Sequence, residues 1–201
     1  MSAFMESLEY ADKMATLSIN GFSNSFTDAL MPVVSNRFVW IPIYVLLLVF
    51  LFWKLGWRKT LVILLAVALS VAAIDQFANL VKFSVGRYRP CWDSFMTDNG
   101  LKILENKGGS YGFFSAHAAN TAGVATAILY FVRSWGTRRQ YKALKVLFTL
   151  WVLLVSVSRI YVGKHFLGDV TVGIIAGIII ARILSWAIGQ VVNKYFVKFV
   201  S

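Results

Sequence analysis

The sequence contains little cysteine and few charged residues. Its single cysteine, Cys91, excludes an intrachain disulfide and any metal site built from several cysteines. Charged residues make up only 14% of the 201 residues, whereas hydrophobic residues make up 58% and occur in long runs. This profile is typical of a polytopic membrane protein rather than a soluble enzyme, and the length suits a single domain over residues 1–201.

Acidic residues are scarce as well: nine Asp and Glu stand against twenty Lys and Arg, which gives a net charge of +11. A positive charge of this size is compatible with nucleic-acid binding, but the basic residues form no continuous stripe or arm. They cluster between the apolar runs, where they set the orientation of a membrane protein. We therefore expect the bilayer, and no nucleic acid, as the partner of these charges.

Five apolar runs predict transmembrane helices, because each is close to the ~20 residues that span a hydrocarbon core of about 30 Å. They cover residues 38–55, 60–83, 117–135, 143–161 and 166–192. Residues 3–20 alternate apolar and polar groups at helical spacing, which predicts an amphipathic helix at the interface within an N-terminal interfacial segment, residues 1–37. A short helix is expected over 27–34. The predicted fold is all-α, a polytopic helical bundle with about five transmembrane helices.

Small residues recur every four positions on two of these predicted spans. Gly173 and Gly177 lie on the last span, and Ala119 and Gly123 lie on the third. This spacing lets helix backbones approach closely. We expect ordinary helix packing at these positions.

Basic residues predict the orientation of the bundle. Loops 54–59 and 133–145 contain Lys and Arg but no acid, and the C-terminal end adds Lys194 and Lys198. Five spans put all three basic regions on one side, which the positive-inside bias makes cytoplasmic. The N-terminus, the loop 159–165 and an active-site loop over 84–116 then face outward.

Both histidines of the chain lie in segments that end on this outward side. The three segments are 82–90 (KFSVGRYRP), 114–117 (FSAH) and 158–169 (SRIYVGKHFLGD). Cleavage of a phosphate ester needs a nucleophile, a proton for the leaving oxygen and positive charge for the equatorial oxygens. These segments contain a candidate for each function.

His165 and Asp169 are four residues apart where the last span begins. That spacing puts both on one helical face, so the carboxylate can accept from one imidazole nitrogen and orient the other. Such an imidazole is a credible nucleophile on phosphorus. A helix-capping histidine beside an acid explains the pair equally well.

His117 begins the third span directly after Ser115 and Ala116. Free backbone N–H groups at a helix N-terminus favour anions, and the Ser115 hydroxyl can donate too. His117 can protonate the leaving group and later deprotonate the attacking water. Taken alone, an N-cap serine followed by an interfacial histidine is the simpler interpretation.

Lys82, Arg89 and Arg159 are the candidate phosphate clamp. Any one of them is explained by a side chain that reaches the head groups, and we assign Arg87 that role. Three cations from separate loops beside two histidines are harder to explain in this way. Asp75, with Asn79 on the same helical face, is expected to be structural.

The ordered patterns K-x6-R-P, S-x-H and S-R-x5-H-x3-D resemble the type 2 phosphatidic acid phosphatase (PAP2) superfamily, over about residues 75–169. The resemblance implies that His165 forms a phosphohistidine, oriented by Asp169, and that His117 is the acid and base. It further implies a metal-independent enzyme without cofactors and a phosphate site that vanadate or phosphate would occupy. The phosphate-binding residues it implies are Lys82, Arg89, Ser115, Ala116 and Arg159.

The second motif departs from the family's usual P-S-G-H at two positions, Phe114 and Ala116. Alanine keeps the backbone donor but removes conformational freedom from the turn. The catalytic groups are unchanged.

The resemblance extends to the membrane-bound bacterial branch, which implies a multi-pass protein of the inner membrane whose site faces the periplasm or exterior. The expected substrate is a phosphorylated lipid, with undecaprenyl pyrophosphate first and lipid A or phosphatidylglycerol phosphate as alternatives. A non-catalytic lipid-binding or transport protein is the alternative from another class. Retention of the His165–Asp169 pair argues against it, because binding alone needs no nucleophile.

Overall fold

The computed structural model describes residues 3–196 and Phe199; Lys198, one of the basic residues that predict the orientation, lies outside this part. The described residues form eight α-helices and two short 3-10 helices. The α-helices are α1 (Ala3–Asn20), α2 (Ser25–Ser35), α3 (Ile41–Leu55), α4 (Trp57–Val85), α5 (Ser94–Asp98), α6 (Ala116–Trp135), α7 (Arg138–Tyr161) and α8 (Leu167–Tyr195). The 3-10 helices are Arg37–Trp40 and Pro90–Trp92. The predicted all-α fold is confirmed.

Two glycines set the limits of α4. Gly56 has a φ of 79° and separates α4 from α3, and Gly86 has a φ of 63° and ends α4 in the left-handed conformation that favours glycine. The chain leaves the helix after Val85, three residues beyond Lys82, and continues into the Arg87–Pro90 segment. A conformational requirement at Gly86 therefore puts the first predicted phosphate-binding segment at the end of the bundle.

Each of the five predicted spans corresponds to a helix, and four are long and apolar enough to cross a membrane: the 3-10 helix with α3, then α4, α7 and α8. The predicted span 117–135 corresponds to α6, which is not among these four. Half of its twenty residues are buried, and it packs on α4, α7 and α8. A helix surrounded by other helices can carry small and polar residues that a lipid-facing helix would not.

The close contact of α6 and α8 depends on the small residues predicted to pack. A Cβ atom added to Gly173 would lie 2.6 Å from the Ser115 carbonyl oxygen, and one on Gly177 would overlap the Ala119 backbone. The two glycines therefore let the beginning of α6 lie directly against the first turns of α8. This packing brings the second and third motifs together.

Helix α1 has the predicted extent, but its polar residues face the protein. Thr16 and Asn20 are buried, whereas Phe4 and Leu8 are 69% and 50% exposed. The apolar surface around Phe4 and Leu8 is thus left free for a bilayer, whereas Leu17 and Ile19 pack against the protein. The polar face contacts the site end of the bundle.

The 84–116 loop is held at both ends and has its own small core. The backbone N–H of Arg89 donates to Ser110 O at 2.9 Å, and that of Gly112 donates to Arg87 O at 2.9 Å. Met96 and Leu101 are buried against Phe166, which lies in the connection between α7 and α8. The loop is consequently fixed beside the third motif.

Candidate active site

One cavity of about 720 Å³ collects most of the predicted site residues. Six of the eight line it: Lys82, Arg89, Ala116, His117, Arg159 and His165. The other two, Ser115 and Asp169, are fully buried and do not line the cavity. The cations and histidines of three sequence segments therefore share one space at one end of the bundle.

His165 is not on the face of a helix, contrary to the expectation from its spacing. It precedes α8, in a turn whose Gly163 has a φ of 78°, while Asp169 lies in the first turn of the helix. The His165 Nδ1 atom lies 3.5 Å from Asp169 Oδ2, which is long for a hydrogen bond. The two side chains are neighbours, but the expected hydrogen bond between them is not formed: Nδ1 has no hydrogen-bond partner among the described residues.

The environment of His165 keeps its imidazole neutral. Burial lowers the pKa of His165 to about 4, because the charged form loses its hydration, and Arg159 and Arg89 lower it further. Asp169 opposes this shift. An unprotonated imidazole beside positive charge is the form that can attack phosphorus at neutral pH.

Arg87 is part of this centre, so its assignment as a head-group contact is wrong. Its Nη1 donates to Asp169 Oδ1 at 2.8 Å and its Nη2 donates to Asp12 Oδ2 at 2.7 Å. The guanidinium carbon also lies 4.0 Å from the centre of the Phe166 ring. Asp169 is thus held between Arg87 and the Phe166 backbone N–H, which donates to Oδ2 at 3.1 Å.

Helix α1 caps the start of α8. Asp12 Oδ1 accepts from the Gly168 N–H at 2.8 Å and Thr16 Oγ1 accepts from the Leu167 N–H at 3.0 Å. One turn further on, Asn20 binds the Tyr161 and Lys102 carbonyls. The sequence signal for this contact is the four-residue spacing of Asp12, Thr16 and Asn20, but the same spacing fits a helix that lies on the membrane surface without such contacts.

The three clamp cations have different partners. Arg159 is 6% exposed and contacts the Ser35 hydroxyl and, at 3.3 Å, Glu105 Oε2. Arg89 donates from Nε to Tyr111 O at 3.1 Å. Lys82 forms no ion pair among the described residues. All three lie at the cavity wall with charge that an anion can use.

Two further basic residues, which the motifs did not predict as site residues, lie close to this cluster. Lys164 is buried and binds the Asn106 carbonyl. The Lys164 and Arg89 side chains are neighbours, because a Cβ atom added to Gly108 would lie within 4 Å of both. Arg37 lines both the main cavity and a second one of about 610 Å³, which Glu105, His117 and Arg159 also line. Lys164 lies inside the third motif segment, whereas nothing in the local sequence marks Arg37.

The N-terminus of α6 differs in detail from the predicted anion site. Ser115 is the N-cap, and its Oγ lies 3.5 Å from the Ala118 N–H that it caps. Ala116 and His117 line the cavity. Phe114, one of the two departures from the family motif, is buried against Ile74, Ala78 and Ala119. The departure at 114 thus contributes to helix packing.

Below the cations, the cavity carries three polar residues. Asp75 and Asn79 line it from α4, and Asn120 lines it from α6. The Asn120 Nδ2 donates to Asp75 Oδ1 at 2.7 Å, which joins the two helices. We call these three residues the Asp75 cluster.

Most of the remaining wall of the cavity is apolar. It is formed by α3, α4, α6 and α7, and it includes Leu47, Leu51, Val67, Val71 and Trp151. The cavity therefore runs from a cationic end beside two imidazoles to an apolar end among membrane-crossing helices. Such a space suits an amphiphile whose anionic head group is attached to a hydrocarbon tail.

Comparison with known proteins agrees with this geometry. Residues 59–192 match the model of the PAP2 superfamily. The chain is 31% identical over 176 residues to a lipid A 4'-phosphatase of Bacteroides thetaiotaomicron, covering 86% of this chain and 75% of that protein. It is 29% identical over 142 residues to an undecaprenyl-diphosphatase of Sulfolobus acidocaldarius, covering 71% of this chain and 60% of that protein.

The fold has a counterpart among solved structures. The crystal structure of a transmembrane PAP2 type phosphatidylglycerolphosphate phosphatase from Bacillus subtilis superposes with a TM-score of 0.71, at 20% identity, over 94% of this chain and 89% of that one. The match to the family model covers about two thirds of the chain and includes all three motifs. The chain therefore belongs to the PAP2 superfamily, as a multi-pass membrane lipid phosphatase that needs no metal ion.

Proposed function

We propose that the protein removes a phosphate group from a phosphorylated glycolipid of the lipid A type, through a phosphohistidine on His165. The observation that carries this proposal is the main cavity, which has two histidines and the three clamp cations at one end and a largely apolar wall at the other. A soluble phosphate ester would not require the apolar end. A lipid without phosphate would not require the cationic end.

In the first step, Nε2 of His165 attacks phosphorus while the bond from phosphorus to the lipid oxygen breaks. His117 donates a proton to that oxygen, so the dephosphorylated lipid leaves with a hydroxyl group. Water then attacks the phosphohistidine and gives a proton to His117. The phosphorus–nitrogen bond breaks, which releases inorganic phosphate and restores neutral His165.

The cations and the start of α6 stabilise the charge on the transferred group. Lys82, Arg89 and Arg159 approach the transferred phosphate group from three different segments. The backbone N–H group of Ala116 adds a hydrogen-bond donor without adding charge. Ser115 contributes by capping the helix, or by turning its hydroxyl toward the phosphate once substrate is bound. Asp169 holds His165 in the tautomer that attacks.

The substrate assignment rests on sequence similarity. Of the two related phosphatases compared by sequence, the lipid A 4'-phosphatase has the higher identity and coverage. We accordingly place lipid A ahead of undecaprenyl pyrophosphate, which the motifs alone put first. Undecaprenyl pyrophosphate remains the second candidate, because the long apolar wall suits an isoprenyl chain.

The proposed location is the inner membrane of a bacterium, with the site facing the periplasm. The ends of α3, α6 and α8 and the starts of α4 and α7 lie opposite the site, and the basic loops 54–59 and 133–145 belong to that end. The positive-inside bias makes it cytoplasmic. Vanadate is expected to occupy the phosphate position and inhibit, since its five-coordinate form resembles the transition state.

The test is a substrate panel combined with trapping of the intermediate. Purified wild-type protein should dephosphorylate lipid A more efficiently than undecaprenyl pyrophosphate, phosphatidylglycerol phosphate or phosphatidic acid. Single-turnover reactions with a lipid substrate that carries the label in its phosphate group, quenched in alkali, should yield labelled protein. His165→Gln should lower turnover by at least about 10⁴-fold and abolish the label.

Lys102→Gln is the matched control, because this exposed cation on the same end of the bundle does not line the cavity. It should keep full activity. An active His165→Gln variant would refute the phosphohistidine mechanism. A wild-type preference for undecaprenyl pyrophosphate would refute the lipid A assignment but not the mechanism.

A further inference from the structure

The Asp75 cluster is a group of polar residues in the cavity that the proposed mechanism does not use. Asp75 and Asn79 are on α4, seven and three residues before Lys82, and Asn120 is on α6, three residues after His117. At 1.5 Å per residue, these positions lie about 5 to 10 Å along the helices from the phosphate-binding end. The cluster is therefore next to the phosphate site, on the side toward the membrane interior.

Helix packing alone does not account for the choice of these residues. A hydrogen bond between two membrane helices needs only an amide or a hydroxyl. A carboxylate within a span is costly unless it is paired or faces a water-filled cavity, and its presence there marks a candidate functional site. Among the described residues, Asp75 has one hydrogen-bond donor, Asn120, and no cationic partner within 4 Å. An ionised carboxylate has room for about four hydrogen bonds.

Further hydrogen-bonding groups of the cluster are unused. Asn79 has no hydrogen-bond partner among the described residues, although it lines the cavity. The Asn120 Oδ1 is buried and likewise lacks a partner in that part of the chain. A buried polar atom without a partner, such as the Asn120 Oδ1, is rare and calls for an explanation, whereas Asp75 and Asn79 are exposed and line the cavity. A ligand that brings hydrogen-bond donors would satisfy them.

We infer that Asp75, Asn79 and Asn120 form a subsite for hydrogen-bond donors that the substrate carries next to its phosphate. The fitting chemical class is a phosphorylated glycolipid, whose sugar ring has hydroxyl and amide N–H groups within a few bonds of the phosphate. An isoprenyl diphosphate and phosphatidic acid have no such donors. This inference rests on the proposed lipid phosphatase function and names the group by which the enzyme selects its substrate.

The effect on specificity follows from the cost of leaving these acceptors unpaired when a bound lipid displaces water from them. A substrate that supplies donors satisfies the carboxylate and the amides, whereas a donor-free lipid displaces water from them without replacing its hydrogen bonds. Hydrogen bonds to charged groups contribute enough to change kcat/KM by about 10-fold to 100-fold. The subsite thus discriminates both for glycolipids and against lipids that lack donors.

The experiment measures kcat/KM ratios in detergent for Asp75→Asn, Asn79→Leu and Asn120→Leu. Four substrates are used: lipid A and phosphatidylglycerol phosphate carry donors near the phosphate, and phosphatidic acid and undecaprenyl pyrophosphate do not. Asn79→Leu breaks no hydrogen bond among the described residues, so it tests the subsite without an expected folding defect. Asp75→Asn keeps the shape and removes the charge.

Each variant should lose about 10-fold or more in kcat/KM for lipid A relative to phosphatidic acid. Gln76→Leu is the matched control: this neighbouring polar residue on α4 does not line the cavity, and its variant should leave all ratios unchanged. Selective loss on phosphatidylglycerol phosphate instead of lipid A would identify a glyceryl hydroxyl as the donor.

Equal losses on all four substrates would show that the cluster is only structural, and unchanged ratios would also overturn the subsite. Failure of the lipid A assignment has a different result. In that case the wild-type protein would be inactive on lipid A. The change in the ratio of kcat/KM for phosphatidylglycerol phosphate to that for phosphatidic acid in the variants would still decide the role of the cluster.

Discussion

Helices α1 and α3 both adjoin the site, yet they are attached to the bundle by different forces. Helix α1 is held by directional polar contacts. Asp12 and Thr16 bind the start of α8. Asn20 binds the carbonyl at the end of α7 and the Lys102 carbonyl. Helix α3 contributes one fully buried residue, Leu51, and it packs mainly on α4 through apolar side chains. Only 6% of the α3 span is buried.

This difference distinguishes two sides of the site. We call the side at α1 the fixed side and the side at α3 the open side. Hydrogen bonds and ion pairs hold a defined geometry, which His165 and Asp169 need in order to attack phosphorus. Apolar contacts between helices in lipid depend on van der Waals packing without a hydrophobic driving force, so α3 lacks the directional contacts that hold α1. We therefore expect the lipid tail to enter beside α3, while α1 keeps the catalytic end in place.

The largest effect is expected from breaking the fixed side at Arg87. Arg87→Gln removes the charged contacts to Asp169 and Asp12, so His165 loses its orientation and kcat should fall about 100-fold with little change in KM. Steady-state kinetics on the preferred lipid measure this. Arg87→Lys should restore part of the loss, whereas an unchanged kcat in Arg87→Gln would show that Asp169 is held by other contacts.

A smaller effect is expected from Asp12→Asn. The amide oxygen can still accept from the Gly168 N–H, but it no longer compensates the Arg87 charge, so kcat should fall about 10-fold. Lys13 is the neighbour of Asp12 on α1, and its Nζ lies 2.9 Å from Asp93 Oδ2. Lys13→Gln breaks this ion pair and should leave kcat unchanged. Equal losses in the two variants would mean that α1 contributes stability alone.

The smallest effect is expected on the open side. Leu47→Trp narrows the apolar end of the cavity, so KM should rise about fivefold for long-chain lipids and remain unchanged for short-chain phosphate esters. The adjacent Leu46 is 69% exposed and does not line the cavity, which makes Leu46→Trp the matched control. If both variants behave alike, the tail does not use this part of the cavity.

Much of the fold and the chemistry can be predicted from the sequence because both depend on local pattern. The apolar runs predict five helices within a few residues of those observed, and the amphipathic spacing predicts α1 from 3 to 20. The grouping of His117 and His165 in one cavity follows from helix ends on one side of a membrane. The position of His165 before α8 does not follow, because helical spacing does not reveal where a helix begins.

Arg87 shows why the rest requires coordinates. The sequence around a basic residue that follows a span is the same whether the side chain contacts head groups or carboxylates. The partners of Arg87, Asp12 and Asp169, are 75 and 82 residues away along the chain. The same holds for Asp75, whose partner Asn120 is on another helix. Contacts between residues this far apart depend on how helices pack, and no local pattern records them.

The sequence by itself determined that this chain is a helical membrane protein with the groups needed to transfer a phosphate, since hydropathy, periodicity and short motifs are properties of neighbouring residues. The tertiary structure alone decided which polar residues turn inward. Glycines on α8 let α6 approach, α1 caps α8, and the Asp75–Asn120 pair faces the cavity. The physical reason is that a buried polar group must find its partner in space, wherever that partner lies along the chain.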